Sequence, residues 1–161
     1  KKLDEIIDYL QQATEHARAL SRGLSPMSIE TLGLEDAITI LANDAQNTTG
    51  IQCHFDSPQP VNITDNTINI QIYRIIQEAV NNAAKHSDAQ NIYITLKDGK
   101  NFELSISDDG KGFNVSGKKF SNNLGLRIMR YRAGIIGCTL KVESTPGKGT
   151  TVRCTKSLKT S

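Results

Sequence analysis

Ile68, Ile72, Ile75, Ile76, Ala79, Val80 and Ala83 recur at the spacing of one helix face. At about 100° per residue they form an apolar stripe, which is stable only against a core. Glu78, Asn82 and His86 run along one flank of that stripe, each step drifting by roughly 40°. An acid, an amide and an imidazole therefore share its edge. Side chains placed this way either line the rim of a cleft or form the polar boundary of an ordinary helix, and alone they do not choose between the two. The spacing predicts a helix running to His86 from Thr64-Asp65, where either side chain can cap the first turn.

Beyond His86 the repeat drops from about 3.6 residues to about 2. Ile92, Ile94 and Leu96 alternate with Tyr93, Thr95 and Lys97; Asp98-Gly99 turns the chain; Phe102, Leu104 and Ile106 alternate with Glu103, Ser105 and Ser107. This is the pattern of a β-hairpin. Strand parity then separates two adjacent acids: Asp108 falls on the side of Phe102, Leu104 and Ile106, and Asp109 on the polar side. A carboxylate aimed inward costs on the order of several kcal/mol unless it is paired or hydrogen-bonded. Gly110-Lys111-Gly112-Phe113 follows at once, and its two glycines let the backbone turn and a flat ligand come close. A plain glycine turn with a surface acid accounts for Asp109 but not for Asp108.

The flanking segments supply further layers. Leu34, Ala37, Ile38, Leu41, Ala42 and Ala45 predict an amphipathic helix stopped by Gly50, then a short strand from Ile51 to Phe55 and a loop marked by Pro58 and Pro60. Asn114 to Asn123 is polar, carries Gly117, Lys118 and Lys119, shows no period and reads as a lid. Leu124 opens a helix with Leu126, Met129, Ala133 and Ile136 on one side and Gly137 at its end. The amino end of such a helix, with free N–H groups and a positive dipole, suits a phosphate. Leu140 and Val142 begin a strand, Thr145-Pro146-Gly147-Lys148-Gly149 is a turn, and Thr150 to Thr155 is the return strand. At the other end of the chain, Leu3, Ile6, Leu10, Ala13, Ala17, Leu20 and Leu24 keep the alternating spacing of a bundle or coiled-coil helix, which Ser25-Pro26 ends. His16 within it fits a solvated surface position and is given no role.

Bulk properties exclude several classes. A length of 161 residues suits one domain plus an extra element. Nineteen basic and seventeen acidic residues leave a net charge of +2, scattered along the chain, so direct nucleic-acid binding is not expected. Cys53, Cys138 and Cys154 form no close pair, which argues against a disulfide framework or zinc site and for a reducing, cytoplasmic compartment, even within a membrane-anchored parent protein. No apolar run reaches the roughly 18 residues of a membrane helix, and Lys1 to Glu5 lack a signal-peptide core.

Taken in order, Glu78 to His86, Asp108 to Phe113, Leu124 to Leu126 and Gly147 to Thr150 resemble the N, G1, G2 and G3 boxes of the ATP-binding superfamily that joins gyrase, the heat-shock chaperone of the same fold, sensor histidine kinases and the mismatch-repair MutL protein. The resemblance covers about residues 64 to 155. Within it, Tyr73 to Asn82, Met129 to Ala133, and Arg18 through Ser25-Pro26 to Leu34 are similar to sensor kinases of the nitrate-sensor type. The implied fold is α+β, a two-layer sandwich (the Bergerat fold) whose mixed, mostly antiparallel sheet is covered on one face by helices, preceded by a bundle-type helix. Residues 1–25 would be the second helix of a dimerisation and phosphotransfer hairpin, and 26–161 the ATP-binding catalytic domain.

The same resemblance implies the roles. Asn82 would hold Mg²⁺, Asp108 would accept from the adenine amino group, and Thr150 would support that contact. Lys85 and His86 would lie near the phosphates, Gly110, Gly112 and Gly125 would give close backbone approach, and Leu124 and Leu126 would flank Gly125. Glu78 stands where ATPase relatives keep the base that activates water. The activity implied is protein-histidine kinase, with ATP as donor, a response regulator carrying a helix-turn-helix output domain as partner, and a homodimer formed through the hairpin. None of His16, His54 and His86 is followed by the acid of a phosphoacceptor signature, so these 161 residues are expected not to phosphorylate themselves. The G2 box usually carries more glycine; here Ser121-Asn122-Asn123 stands in those places, with Asn tolerant of the left-handed region. Two other readings stay open: another ATPase or serine kinase of the superfamily, and a degenerate module that binds partners without nucleotide.

Overall fold

The computed structural model describes residues 29, 31–99, 102–115 and 123–156. Along them run α1 (Leu34–Thr49), β1 (Gln52–Asp56), α2 (Asn66–His86), β2 (Asn91–Lys97), β3 (Glu103–Asp108), α3 (Leu124–Ile135), β4 (Thr139–Ser144) and β5 (Thr150–Thr155). The heptad segment with His16, and the core of the segment read as a lid, 116–122, lie outside the described residues.

Local chemistry sets the helix ends where the sequence placed them. Gly50 closes α1 at φ 77°, the left-handed conformation that glycine adopts without a side-chain clash, and its N–H returns to Gln46 O. Of the two candidate caps before α2 it is Asp65 that serves, accepting from Thr67 N at 2.8 Å. The buried face of α2 is the expected stripe with one addition and one subtraction. Tyr73 is only 1% exposed because α1 packs on α2 and widens the surface to be covered, while Ile68, near the amino end, is only partly buried.

The five strands form one sheet in the order β1-β2-β3-β5-β4. β1 and β2 are parallel, and every other pair is antiparallel. A parallel pair needs a long crossover, and α2 provides it. β1 starts at Gln52, one residue later than Ile51, because the ladder opens with Gln52 N donating to Gln90 O at 2.9 Å; Ile51 is buried just before it. The predicted hairpin is present, with Ile94 opposite Ile106 and Leu96 opposite Leu104.

Register turns the alternation into rows. Phe55, Ile94, Ile106, Val152 and Val142 lie side by side across the sheet, and Leu96, Leu104, Cys154 and Leu140 form the neighbouring row. These rows make the core floor, while Tyr93, Thr95, Lys97, Lys141 and Arg153 take the opposite face. α1 packs on β1, α2 on β2 and β3, and α3 on β4. The helices therefore sit on the apolar face, giving a two-layer α+β sandwich. The three cysteines are free thiols.

Leu104→Ala, in the middle of the floor, is expected to cost about 2–5 kcal/mol in urea unfolding, the usual range for emptying a packed aliphatic site. Tyr73→Phe should behave differently. The Tyr73 hydroxyl is buried without a hydrogen-bond partner, and burial pushes its pKa up to about 12. Removing an unpaired buried hydroxyl recovers its desolvation cost, so the variant should unfold at an equal or higher urea midpoint.

Candidate functional site

One further row of the inner sheet face breaks the apolar pattern: Ile92, Asp108, Thr150 and Ser144 stand in register across β2, β3, β5 and β4. Parity thus puts Asp108 on the core side of the sheet, as its alternation predicts. Burial pushes the Asp108 carboxyl above the ordinary carboxylate range, with the backbone N–H groups of Gly110 and Thr150 pulling the other way. Gly110 N donates to Asp108 Oδ1 at 2.9 Å. The costly inward acid therefore has donors.

Asp109 faces the other way and does a different job. Its Oδ1 accepts from Gln90 N at 2.8 Å and Asn91 N at 2.9 Å, and its Oδ2 from Asn91 Nδ2 at 2.7 Å. Hydrogen bonds from Asn91 hold its carboxyl below the usual range. It ties the end of β3 to the start of β2.

Above the polar row lies a cavity of about 550 Å³, walled by α2, α3, the inner face of β3, β4 and β5, and the loop after Asp108. Ile106, Val142, Val152, Met129 and Phe113 give it apolar sides, and Asn82, His86, Asp108 and Thr150 bring polar groups to it. A small number of polar groups in a mostly apolar slot is the usual make-up of a small-molecule site.

The loop is built by backbone contacts that exclude side chains. A Cβ on Gly110 would run into the backbone O of Ser87 at the end of α2. A Cβ on Gly112, at φ 57°, would meet Thr145 O, and one on Gly149, at φ 76°, would meet Asp108 O. Lys111 N donates to Ser87 O at 2.7 Å, and Gly147 N to Lys111 O at 2.6 Å. The end of α2, the loop and the β4–β5 turn are thereby joined into one wall.

Not every expected residue reaches the cavity. Asn82, His86, Asp108, Gly112, Leu126 and Thr150 line it; Glu78, Lys85, Gly110, Leu124 and Gly125 do not. Lys85 is exposed, because it precedes His86 by one residue, about 100° around the helix. Leu124, in the first turn of α3, is 41% exposed. Gly110 works behind the wall against Ser87. Gly125 packs on Glu78 so closely that a Cβ would meet Glu78 Oε1. Glu78 in turn accepts from Asn82 Nδ2 at 3.3 Å, which turns the amide oxygen of Asn82 away from it.

Asn123 makes no use of the left-handed tolerance noted for it. It is extended at φ −67°, not left-handed, and its side chain caps α3 by accepting from Leu126 N at 3.0 Å while lining the cavity. Ser144 was missed altogether. Its hydroxyl accepts from Phe113 N at 2.9 Å and lies 2.9 Å from Thr150 Oγ1. The available signal was its place one residue before the turn, which pairs it with Thr150 in a hairpin.

Comparison with known proteins agrees with this geometry. Residues 67–160 match the family of histidine kinase-, DNA gyrase B- and HSP90-like ATPases. The chain is 32% identical over 158 residues to the sensor protein VraS of Staphylococcus haemolyticus, covering 93% of this chain and 44% of that protein. Among solved structures it resembles the histidine kinase domain of the blue-light activated histidine kinase of Erythrobacter litoralis, with a TM-score of 0.67, 20% identity and coverage of 97% of this chain and 87% of that one. It also resembles the histidine kinase AdeS of Acinetobacter baumannii, with a TM-score of 0.65, 17% identity and coverage of 99% and 83%. The slot between α2 and α3, its half-buried acid and its glycine-built wall thus belong to a chain of the histidine kinase-, DNA gyrase B- and HSP90-like ATPase family.

Proposed function

We propose that residues 26–161 bind Mg-ATP in the cavity and deliver its γ-phosphoryl group to a histidine for relay to an aspartate of a response regulator. In this reading residues 1–25 are the second helix of the hairpin that dimerises the protein and carries the acceptor. The observation that carries it is Asp108, an acid held half-buried on the inner face of a sheet beneath a slot with largely apolar sides. A purine fits between such sides, and its amino group meets the acceptor that the inward carboxylate provides.

The remaining residues divide the work. Thr150, opposite Asp108, adds a second polar group at the base end. Gly112 brings backbone close to the ligand, with Gly110 and Gly125 giving the close packing behind it, and the capped amino end of α3 with Leu124 and Leu126 faces the phosphate end. Lys85 and His86, in the last turn of α2, offer positive charge and a donor nearby. Among the described residues no group of three or more His, Cys, Asp or Glu side chains converges on a metal position. A single amide oxygen, that of Asn82, suits a hard cation whose other ligands are phosphate oxygens and water. When bound, Mg²⁺ would neutralise charge on the phosphates. Glu78, beside Asn82, is assigned as the proton acceptor of the transfer. Phosphoryl transfer rests mainly on positioning and charge neutralisation, and this site is built for both.

The acceptor histidine in this proposal is none of the three in the sequence. His86 lines the nucleotide cavity itself, His54 stacks on Tyr93 with ring centroids 5.0 Å apart on the far side of the sheet, and His16 is not followed by an acid. The names of the relatives support the kinase reading, and the chain spans less than half of the sensor protein it matches.

A fluorescent ATP analogue titrated with Mg²⁺ tests the site. Asp108→Asn, which replaces one acceptor oxygen by a donor, should weaken binding about tenfold or more; equal affinity for wild type and variant overturns the adenine assignment. Chelation of Mg²⁺ should weaken binding to the wild type and leave Asn82→Ala almost unchanged. An equal response of both proteins to chelation removes Asn82 as the metal ligand.

A further inference from the structure

Ser144 lies outside the cavity wall, yet its hydroxyl settles what the wall can offer to a ligand. A serine oxygen donates one hydrogen bond and accepts two. Three partners surround it: Phe113 N, which donates to it at 2.9 Å; Gly149 O, which takes its proton at 3.0 Å; and Thr150 Oγ1 at 2.9 Å. Phe113 N has no acceptor role to play, and Gly149 O no donor role. With the serine proton on Gly149 O, the Thr150 contact is a hydrogen bond only if Thr150 donates. Gly149 O has no comparable substitute donor, since Thr145 N reaches it only at 3.5 Å.

We infer that Ser144 is a positioning residue that draws the Thr150 hydroxyl proton out of the cavity, so that Thr150 and Asp108 together present an acceptor-only edge selecting purine triphosphates with an amino group at the 6-position. This rests on the nucleotide reading given above and goes beyond it, because threonine alone can donate as readily as accept. Two facts join to produce the edge: Asp108 and Thr150 are cross-strand partners on the same face, and both line the cavity. With its only proton turned to Ser144, Thr150 has lone pairs alone to give. A base that carries a donor there satisfies both groups, whereas one without it leaves buried acceptors unpaired.

The probe is a pair of ligands: ATP, and purine riboside triphosphate, which lacks the amino group but keeps every ring nitrogen of ATP. Both are measured with Mg²⁺ by competition against a fluorescent ATP analogue, and the quantity read is the ratio of their dissociation constants. In Ser144→Ala the freed Thr150 hydroxyl can rotate and donate, so the preference for ATP should fall about tenfold, the order of one buried hydrogen bond. Ser144→Thr, which keeps the hydroxyl, should restore it. Thr150→Val should lower the ratio by a similar factor, and adding Ser144→Ala to it should change the ratio no further. An unchanged ratio in Ser144→Ala overturns the inference while leaving nucleotide binding intact, and an unchanged ratio in Thr150→Val does so even where Ser144→Ala fails to fold. A wild type that binds neither ligand overturns the nucleotide reading along with it.

Discussion

The approach of Gly149 to the carbonyl of Asp108 is the contact on which the rest of the site depends. No side chain fits between them, and the positive φ of Gly149 bends the β4–β5 turn down onto the end of β3. That bend brings Thr145 O against Gly112 and Gly149 O against Ser144, and the loop that leaves Asp108 is caught between the turn and the last residue of the α2 segment. Backbone does the joining, so the geometry varies little with side-chain rotamers. The inward acid is held by the same joint. Asp108 cannot swing to solvent without moving a loop fastened at both edges.

The opposite wall is assembled on a different basis. α3 meets α2 through a seam in which Gly125 lies on Glu78 and Arg132 Nη1 donates to Gln71 Oε1 at 2.8 Å, seven residues further along α3 and seven back along α2. The two helices therefore run antiparallel, in contact through a small residue at one end and a polar pair at the other. Burial lowers the pKa of the Arg132 guanidinium, helped by the nearby charge of Arg74. One wall of the slot is thus a rigid backbone joint and the other a helix held by side chains. In the proposed reading, a nucleotide between them would meet a fixed base end and a phosphate end set by helix packing.

Most of the fold was legible because its elements carry strong local periods. The stripe from Ile72 to Ala83, the alternation of Ile92 to Leu96 and Leu104 to Ile106, and the stops at Gly50 and Gly137 each follow from chemistry within a few residues. Asp108 was legible by parity alone. The residues that escaped depend on contacts across the chain. Asp109 is the surface acid it looked like, but its tie to β2 was hidden because its donors, Gln90 and Asn91, lie 19 and 18 residues earlier. Ser144 pairs with Thr150 in a local hairpin, but its bearing on the site shows only once the return strand is known to lie beside β3, which sets Thr150 opposite Asp108, an order that alternation does not reveal. Asn123 was read for its backbone tolerance when its side chain was the working part. Lys85 and Leu124 were carried along by neighbours in a motif, although helix geometry turns them outward.

The strand order has a consequence for how this domain behaves among copies of itself. β1 and β4 are the ends of the sheet, and an edge strand offers unpaired backbone groups to any other strand it meets. Both edges alternate outward-facing polar residues, Gln52, His54 and Asp56 on β1 and Lys141 and Glu143 on β4. Their like charges would be brought together by edge-to-edge stacking of β1 on β1 at Asp56. The inward residues of β1, Cys53 and Phe55, are only half-covered. Among the described residues, charged side chains on both edges oppose strand addition, and that opposition weakens as salt screens it.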